Sequence, residues 1–540
     1  MKKTLLFLAM ILSISVQAQI ITTIPAFPTV GDDITLIYDA SEGNGALEGV
    51  VPVYAHMGLI TENSNGPSDW QYVQGNWGTA DPNVFMTPIG NNRHQIQFTI
   101  PDFFGIDTTQ ETVMELAFVF RNVNGSVVGR EADGSDIFYE IFPSTGAGLF
   151  VNLTPDGPEI VELNDVISIS GNASLSATLT LFEDNVQIAQ TTGTEINYDL
   201  TVSAPGSHTV KLVADNGNTT VEDEFTYVVN PTVNTVSLPT LNSKLGVNYL
   251  SPTSVRLVLH APLKNYVYVL GTFNDFTPDA NYFMNRTPSG ETWWIDITGL
   301  TAGETYAFQY FVDGAIKVAD PFSELILDPS NDNNIDDPET FPNLPAYPDG
   351  ASGALTVITP GATPYNWQID NFQRPEKTDL VIYELLVRDF IAAHDYDTLL
   401  DSLDYLANLG VNAIQFMPIQ EFEGNISWGY NPSFHMAVDK YYGTPDQLKA
   451  FIDAAHARGM AVILDVVFNH VFSQSPLAQL WWNSAGFRPA TNNPYLNEYP
   501  THPFNVGYDV NHESQAAKDW MDRVVQHWIT EYKFDGFRFD

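Results

Sequence analysis

Met460-Ala461-Val462-Ile463-Leu464-Asp465-Val466-Val467 is apolar at every position but one. A run of this kind reads as a strand covered on both faces, the usual setting of a parallel sheet. Thr444-Pro445-Asp446-Gln447 precedes it, a capping box with proline at the first helical position. The spacing predicts a helix from there to about residue 458, stopped by Gly459. Outward from this pair the pattern repeats. Residues 380–387 and 413–417 are earlier strand-like runs, and 534–540 is a later one. Leu400, Leu403, Leu406 and Ala407 predict a helix over 397–409, ended by Gly410. A further helix is expected from 514 to about 531, with Trp520, Val524, Val525 and Trp528 on its apolar side.

Strand and helix thus alternate and end on a strand, the signature of a parallel α/β sheet. Two features favour a (β/α)8 barrel over a doubly wound sheet. No Gly-rich phosphate loop follows the first strand, and the long loops follow strand ends, where a barrel keeps its site. The stretch 378–540 falls well short of the roughly 250 residues of a full barrel. The expectation is therefore the N-terminal half of one, ending at an unpaired apolar edge.

Ahead of it the chain reads as all-β. Ile34, Leu36 and Tyr38 alternate with polar neighbours, as do Ile96, Phe98 and Ile100, which predicts a β-sandwich over 19–145. Trp70, Tyr72 and Trp77 lie in a Gly/Asn-rich stretch of it. They serve as loop anchors, or as aromatic faces for sugar rings in a glycan-binding module. Ala177, Leu179 and Leu181, and the turn Asp215-Asn216-Gly217, predict an immunoglobulin-like module over 146–231. A third sandwich is expected over 232–335, from Val255, Leu257 and Leu259 to the turn Asp313-Gly314. Residues 336–377, rich in Asp, Asn and Pro, read as linker. The expected fold class is multidomain: three all-β sandwich modules, then the first half of a (β/α)8 TIM barrel.

Composition narrows the partners. The 540 residues carry 22 basic and 65 acidic side chains, so 22 − 65 gives a net charge of −43. Such a surface cannot neutralise phosphates, which excludes a nucleic-acid partner. Lys2 and Lys3, the apolar run from Leu5, and Val16-Gln17-Ala18 form the pattern of a signal peptide over 1–18. That run is too short to span a bilayer. With no cysteine in the chain there is neither a lipid-anchoring thiol nor a disulfide. The expectation is a secreted, soluble protein with no membrane anchor.

Three groups of polar residues fall at strand ends on one face of such a barrel. They are Trp428-Gly429-Tyr430-Asn431-Pro432, Asp465 with Asn469-His470, and Arg538 with Asp540. A tyrosine ring, a histidine and carboxylates converging there suit sugar chemistry. Here the chain resembles the alpha-amylase superfamily of glycoside hydrolases, on the isoamylase, pullulanase and branching-enzyme side. Asp465 to His470 resembles its first signature region, and Gly536 to Asp540 its second. Trp428 to Pro432 with Tyr442-Gly443-Thr444, and Tyr383-Glu384, resemble the matching segments; 232–335 resembles the sandwich that precedes the barrel in those enzymes.

The resemblance implies roles. Asp540 would be the nucleophile of a retaining double displacement, with Arg538 keeping it ionised. His470 would bind a sugar hydroxyl, Tyr430 would stack beneath the sugar, and Trp428 would line the same site. Asp465 would brace the site. No cofactor is required; calcium is allowed, with Asn469 as its ligand. The implied partner is an α-glucan: starch, glycogen or a pullulan-like polymer. A retaining glycosidase needs two carboxyl groups, and the family's acid/base glutamate and second aspartate follow strands five and seven. The chain is therefore expected to be inactive alone and part of a longer enzyme. Two alternatives stand beside hydrolysis: an α-glucan transglycosylase such as a branching enzyme, and a non-catalytic glycan-binding protein with a degenerate barrel.

Overall fold

The structure, a computed structural model, describes residues 20–131, 134–143, 148–155, 159–335, 340–484, 486–504 and 506–540. The expected signal segment at 1–18 and residues 336–339 of the expected linker lie outside the described residues. The chain divides into two compact units, Met1–Pro231 and Thr232–Asp540.

The N-terminal unit holds two sheets. In the first, a central ladder pairs Val53–Thr61 with Val113–Arg121, and a second pairs Asp33–Asp39 with Arg93–Thr99; Phe85–Gly90 joins the two. The alternating Ile34, Leu36 and Tyr38 are all buried, as period-2 patterning requires, and Tyr38 stacks on Phe120 at 3.8 Å. Ile100 departs from the expected strand. It opens a one-turn helix, Ile100–Phe104, because Pro101 favours a helical start and Gly105 takes a left-handed φ of 70°. The second sheet is built on a long hairpin, Val166–Glu183 with Val186–Thr201, turned at Asp184-Asn185 with positive φ at both residues. Leu179, Leu181, Val210 and Leu212 fill its core.

The C-terminal unit starts with two more sheets. One contains Gly246–Ser251, Ser254–His260 and Thr292–Thr298; the other contains Val267–Gly271 and Tyr306–Val312. Leu355–Ile358, inside the stretch expected as linker, pairs with Tyr306–Val312 as a strand. Four β-prone residues hidden among prolines and glycines were too short a signal, yet all four are buried. Trp293 is pure core, its indole N–H donating to the Ala261 carbonyl at 3.0 Å. Trp294 instead anchors the preceding segment through Val236, at 3.1 Å.

Four parallel strands follow: β1 (Ile382–Leu385), β2 (Ala413–Phe416), β3 (Ala461–Val466) and β4 (Gly536–Phe539), adjacent in that order. The helix expected over 397–409 is two, α1 (Tyr396–Leu400) and α2 (Leu403–Leu409). Asp395 caps the first by accepting the Thr398 amide at 2.6 Å. Helix α3 (Pro445–Ala457) carries the full reciprocal capping box between Thr444 and Gln447. It buries Leu448, Phe451 and Ile452. Helix α4 (Gln515–Thr530) buries Trp520, Val524 and Trp528. Ile382 on β1 is 50% exposed and Phe539 on β4 is 64% exposed, as strands with one neighbour each allow. The described chain is thus mainly sheet and multidomain, with its only all-parallel sheet in the last third.

Candidate active site

The pairing of β3 with β4 creates the site. Its register sets Asp465 beside Arg538 and Val466 beside Phe539, and the Asp540 amide continues the ladder onto the Val466 carbonyl at 3.1 Å. Neighbouring residues in register share a sheet face, so Asp465, Arg538 and Asp540 meet. One Arg538 nitrogen donates to both Asp465 oxygens at 3.1 Å and to Asp540 Oδ1 at 2.5 Å. Asp465 is fully buried, whereas the Asp540 side chain is 31% exposed.

The loop after β2 brings the aromatic wall. Gln420–Phe422 pairs with Pro432–Val438, and the turn between them carries Trp428 and Tyr430. The Tyr430 hydroxyl donates to Asp465 Oδ2 at 2.9 Å. Gly429 makes this turn feasible: its φ is +88°, and a Cβ there would lie 2.1 Å from the Pro418 carbonyl oxygen. Trp428 projects outward, 61% exposed. His470 is buried, and its Nε2 meets the Tyr430 carbonyl oxygen at 2.8 Å. Asn469 donates its side-chain amide to the Asp540 main-chain carbonyl at 2.5 Å.

Electrostatics follow from this packing. Burial pushes the Asp465 carboxyl up, while hydrogen bonds from Tyr430 and Arg538 pull it partly back. Burial and the bond to Asp465 raise the Tyr430 phenol, keeping it a donor. The hydrogen bond to Asp540 leads in holding Arg538 above its ordinary value. The cluster therefore holds one fixed cation between two carboxylates, the more exposed of which is Asp540.

The structure brings together Asp465, Arg538, Asp540, Tyr430, His470 and Asn469, with Trp428 on the same turn as Tyr430. Asn469 turns its amide nitrogen to Asp540, and among the described residues no group of three or more His, Asp or Glu is placed to hold a metal ion. His435 belongs to none of the three strand-end groups, yet its Nε2 contacts the Val467 carbonyl at 2.8 Å, fixing the chain just before Asn469 and His470. His502 lies outside those groups too, and meets Asp509 at 3.1 Å beside His470. A histidine within an apolar strand pattern was the one available signal for His435.

Residues 370–484 match the family description "Alpha amylase, catalytic domain". The malto-oligosyltrehalose trehalohydrolase of Saccharolobus solfataricus is 31% identical over 260 residues, covering 48% of this chain and 40% of that protein. The 1,4-alpha-glucan branching enzyme of Rhodopseudomonas palustris is 27% identical over 352 residues, covering 62% of this chain and 46% of that enzyme. A solved pullulanase from Paenibacillus barengoltzii, complexed with maltotetraose, aligns with a TM-score of 0.43 at 24% identity, over 55% of this chain and 48% of that one. The chain spans less than half the length of these curated relatives.

Proposed function

We propose that this chain is part of a secreted enzyme of the alpha-amylase superfamily that hydrolyses α-glucans with retention. The observation that carries the reading is the Asp465–Arg538–Asp540 arrangement at the ends of two adjacent parallel strands. Relatives named for malto-oligosyltrehalose and 1,4-alpha-glucan support the substrate class. In this reading 378–540 is the first half of a (β/α)8 barrel and the preceding β modules are its accessory domains.

Asp540 attacks the anomeric carbon as the glycosidic C–O bond breaks, forming a covalent glycosyl-enzyme; the leaving oxygen takes its proton from a second carboxyl group, and water then attacks the same carbon, freeing the sugar and the Asp540 carboxylate. Arg538 holds the attacking carboxylate in position through its hydrogen bond to Oδ1. Asp465 does not react; it is the buried counter-charge that fixes Arg538 and the Tyr430 ring. Tyr430 and Trp428 face the sugar, and His470 contacts a hydroxyl. A retaining mechanism needs a second carboxyl group about 5–5.5 Å from the first. The proposal assigns it to a part of the whole protein outside this chain. No step passes through a metal.

The test uses the whole protein that carries this chain. Release of reducing ends from amylopectin is measured for the parent and for Asp540→Asn. Loss of the nucleophile should lower kcat by at least about a thousandfold. An Asp540→Asn protein with undiminished turnover would remove Asp540 from the mechanism.

A further inference from the structure

A second feature lies in the loop between β3 and α4. Ser473, Gln479 and Trp482 line a cleft of about 300 Å³, at the small end of the roughly 300–1,000 Å³ typical of ligand pockets. Trp482 is held in place from two sides. Its backbone pairs with Pro489, and its ring meets Tyr508 edge to face at 5.0 Å. Its indole N–H has no hydrogen-bond partner among the described residues, and neither has the Gln479 carboxamide. Ser473 donates its hydroxyl to Glu423 at 2.6 Å, which orients its oxygen lone pairs as acceptors.

The chemistry of the lining selects the occupant. A flat aromatic face takes the apolar C–H face of a pyranose. The uncommitted indole N–H and carboxamide, with the Ser473 oxygen, supply donors and acceptors for hydroxyl groups. No cation is among the three lining residues, and the Glu423 carboxylate beside Ser473 repels an anion. A neutral polyol fits and a phosphorylated ligand does not.

The cleft is also tied to the reactive cluster by two short routes. Tyr508, the partner of Trp482, pairs with Val471, the residue after His470. Glu423, the partner of Ser473, exchanges main-chain and side-chain hydrogen bonds with Asn431, the residue after Tyr430. A glucan chain bound at Tyr430 and His470 would thus extend along the same loop wall. We propose that Trp482, with Gln479 and Ser473, forms a further pyranose subsite for the same α-glucan, giving the enzyme a preference for longer chains. This inference rests on the function proposed above.

Calorimetry on the whole protein carrying Asp540→Asn tests it, since the sugar then persists. Maltohexaose, maltose and cellohexaose are the probes. Adding Trp482→Ala should weaken maltohexaose binding about tenfold, the size of one aromatic contact, and leave maltose within about twofold. Trp482→Phe keeps a ring and should restore most of the loss, which separates stacking from misfolding. Unchanged maltohexaose affinity in Trp482→Ala overturns the subsite while leaving the proposed function standing. Equal weakening of maltose and maltohexaose overturns it as well, and equal affinity for cellohexaose overturns the α-glucan assignment. Failure to bind either maltosaccharide before any Trp482 change sinks the proposed function itself.

Discussion

Lys440→Met is the sharpest test of how the tyrosine-bearing hairpin is held. Lys440 is 2% exposed and reaches Glu421 and, at 3.3 Å, Asp332. Asp439 is buried next to it and accepts the Phe422 and Tyr441 amides. Burial works against the charge of Lys440, but Glu421 and Asp332 outweigh it and hold its pKa above the ordinary value. Methionine matches the stem and deletes the only cation of the group. Removing one partner of a buried pair costs about 3–5 kcal/mol, because the other charge is stranded. For a unit of this size that lowers the melting temperature by on the order of 10 °C. The pH dependence adds a second signature. Burial pushes Glu421 up from 4.5 to about 7, so between those values the folded state binds more protons than the unfolded one. Stability is therefore fullest below the lower value and falls as pH rises through the upper one. Without Lys440 the folded pKa climbs further, so the deficit of the variant should be larger at about pH 8 than at about pH 5. Urea unfolding followed by near-ultraviolet dichroism measures both. Glu421→Gln added to Lys440→Met should recover more than half the loss, since no charge is then stranded on that side. A Lys440→Met protein within about 1 kcal/mol of the parent at pH 8 would refute the argument, because that is the worth of an exposed pair.

Two further outcomes follow from the same loop wall. Gly429→Ala places a methyl group 2.1 Å from the Pro418 carbonyl oxygen at a φ of +88°; it should cost at least about 1–2 kcal/mol and weaken maltohexaose binding, both read on the whole protein by melting and calorimetry. His435 is pushed down to about 4 by burial, so it is neutral in the folded protein while the unfolded chain protonates near 6.5. Its contribution of about 3 kcal/mol is present above 6.5 and lost as pH falls toward 4. His435→Gln, which keeps a donor for Val467, should flatten the stability profile across that window; an unchanged acid limb contradicts the assignment.

Much of the site was readable because its parts sit at strand ends. The apolar run around Asp465 announced a buried strand, and a lone carboxylate near the end of such a run must find partners. Arg538 and Asp540, two apart on a strand, announced a shared face. Those two facts put the three residues close once the strands were adjacent, and register pairing of Asp465 with Arg538 made it so. What could not be read were the features fixed by contact between distant segments. Leu355–Ile358 joins a sheet only because Tyr306–Val312 offers it an edge. His435 matters only because the chain at Val467 passes its ring. The break between α1 and α2 falls within a continuous apolar stripe, and periodicity cannot see it.

The unequal burial of the two carboxylates explains why the cluster can serve chemistry and not merely structure. Asp465 and Asp540 share one guanidinium, so the three groups together carry one excess negative charge when all are ionised. Asp465 lies in the dry interior and must be compensated there; it draws Arg538 through two contacts and Tyr430 through a third. Asp540 gets a single side-chain contact from Arg538 and is 31% exposed. Asp465 therefore takes three of the side-chain contacts within the cluster, and Asp540 takes one. An ordinary structural ion pair would have no use for the buried third member. Here that member holds the arginine in position, and its tyrosine partner carries the ring that a sugar would approach. The sequence order of the strands, with β3 next to β4, is what converts two separate motifs into one directed charge.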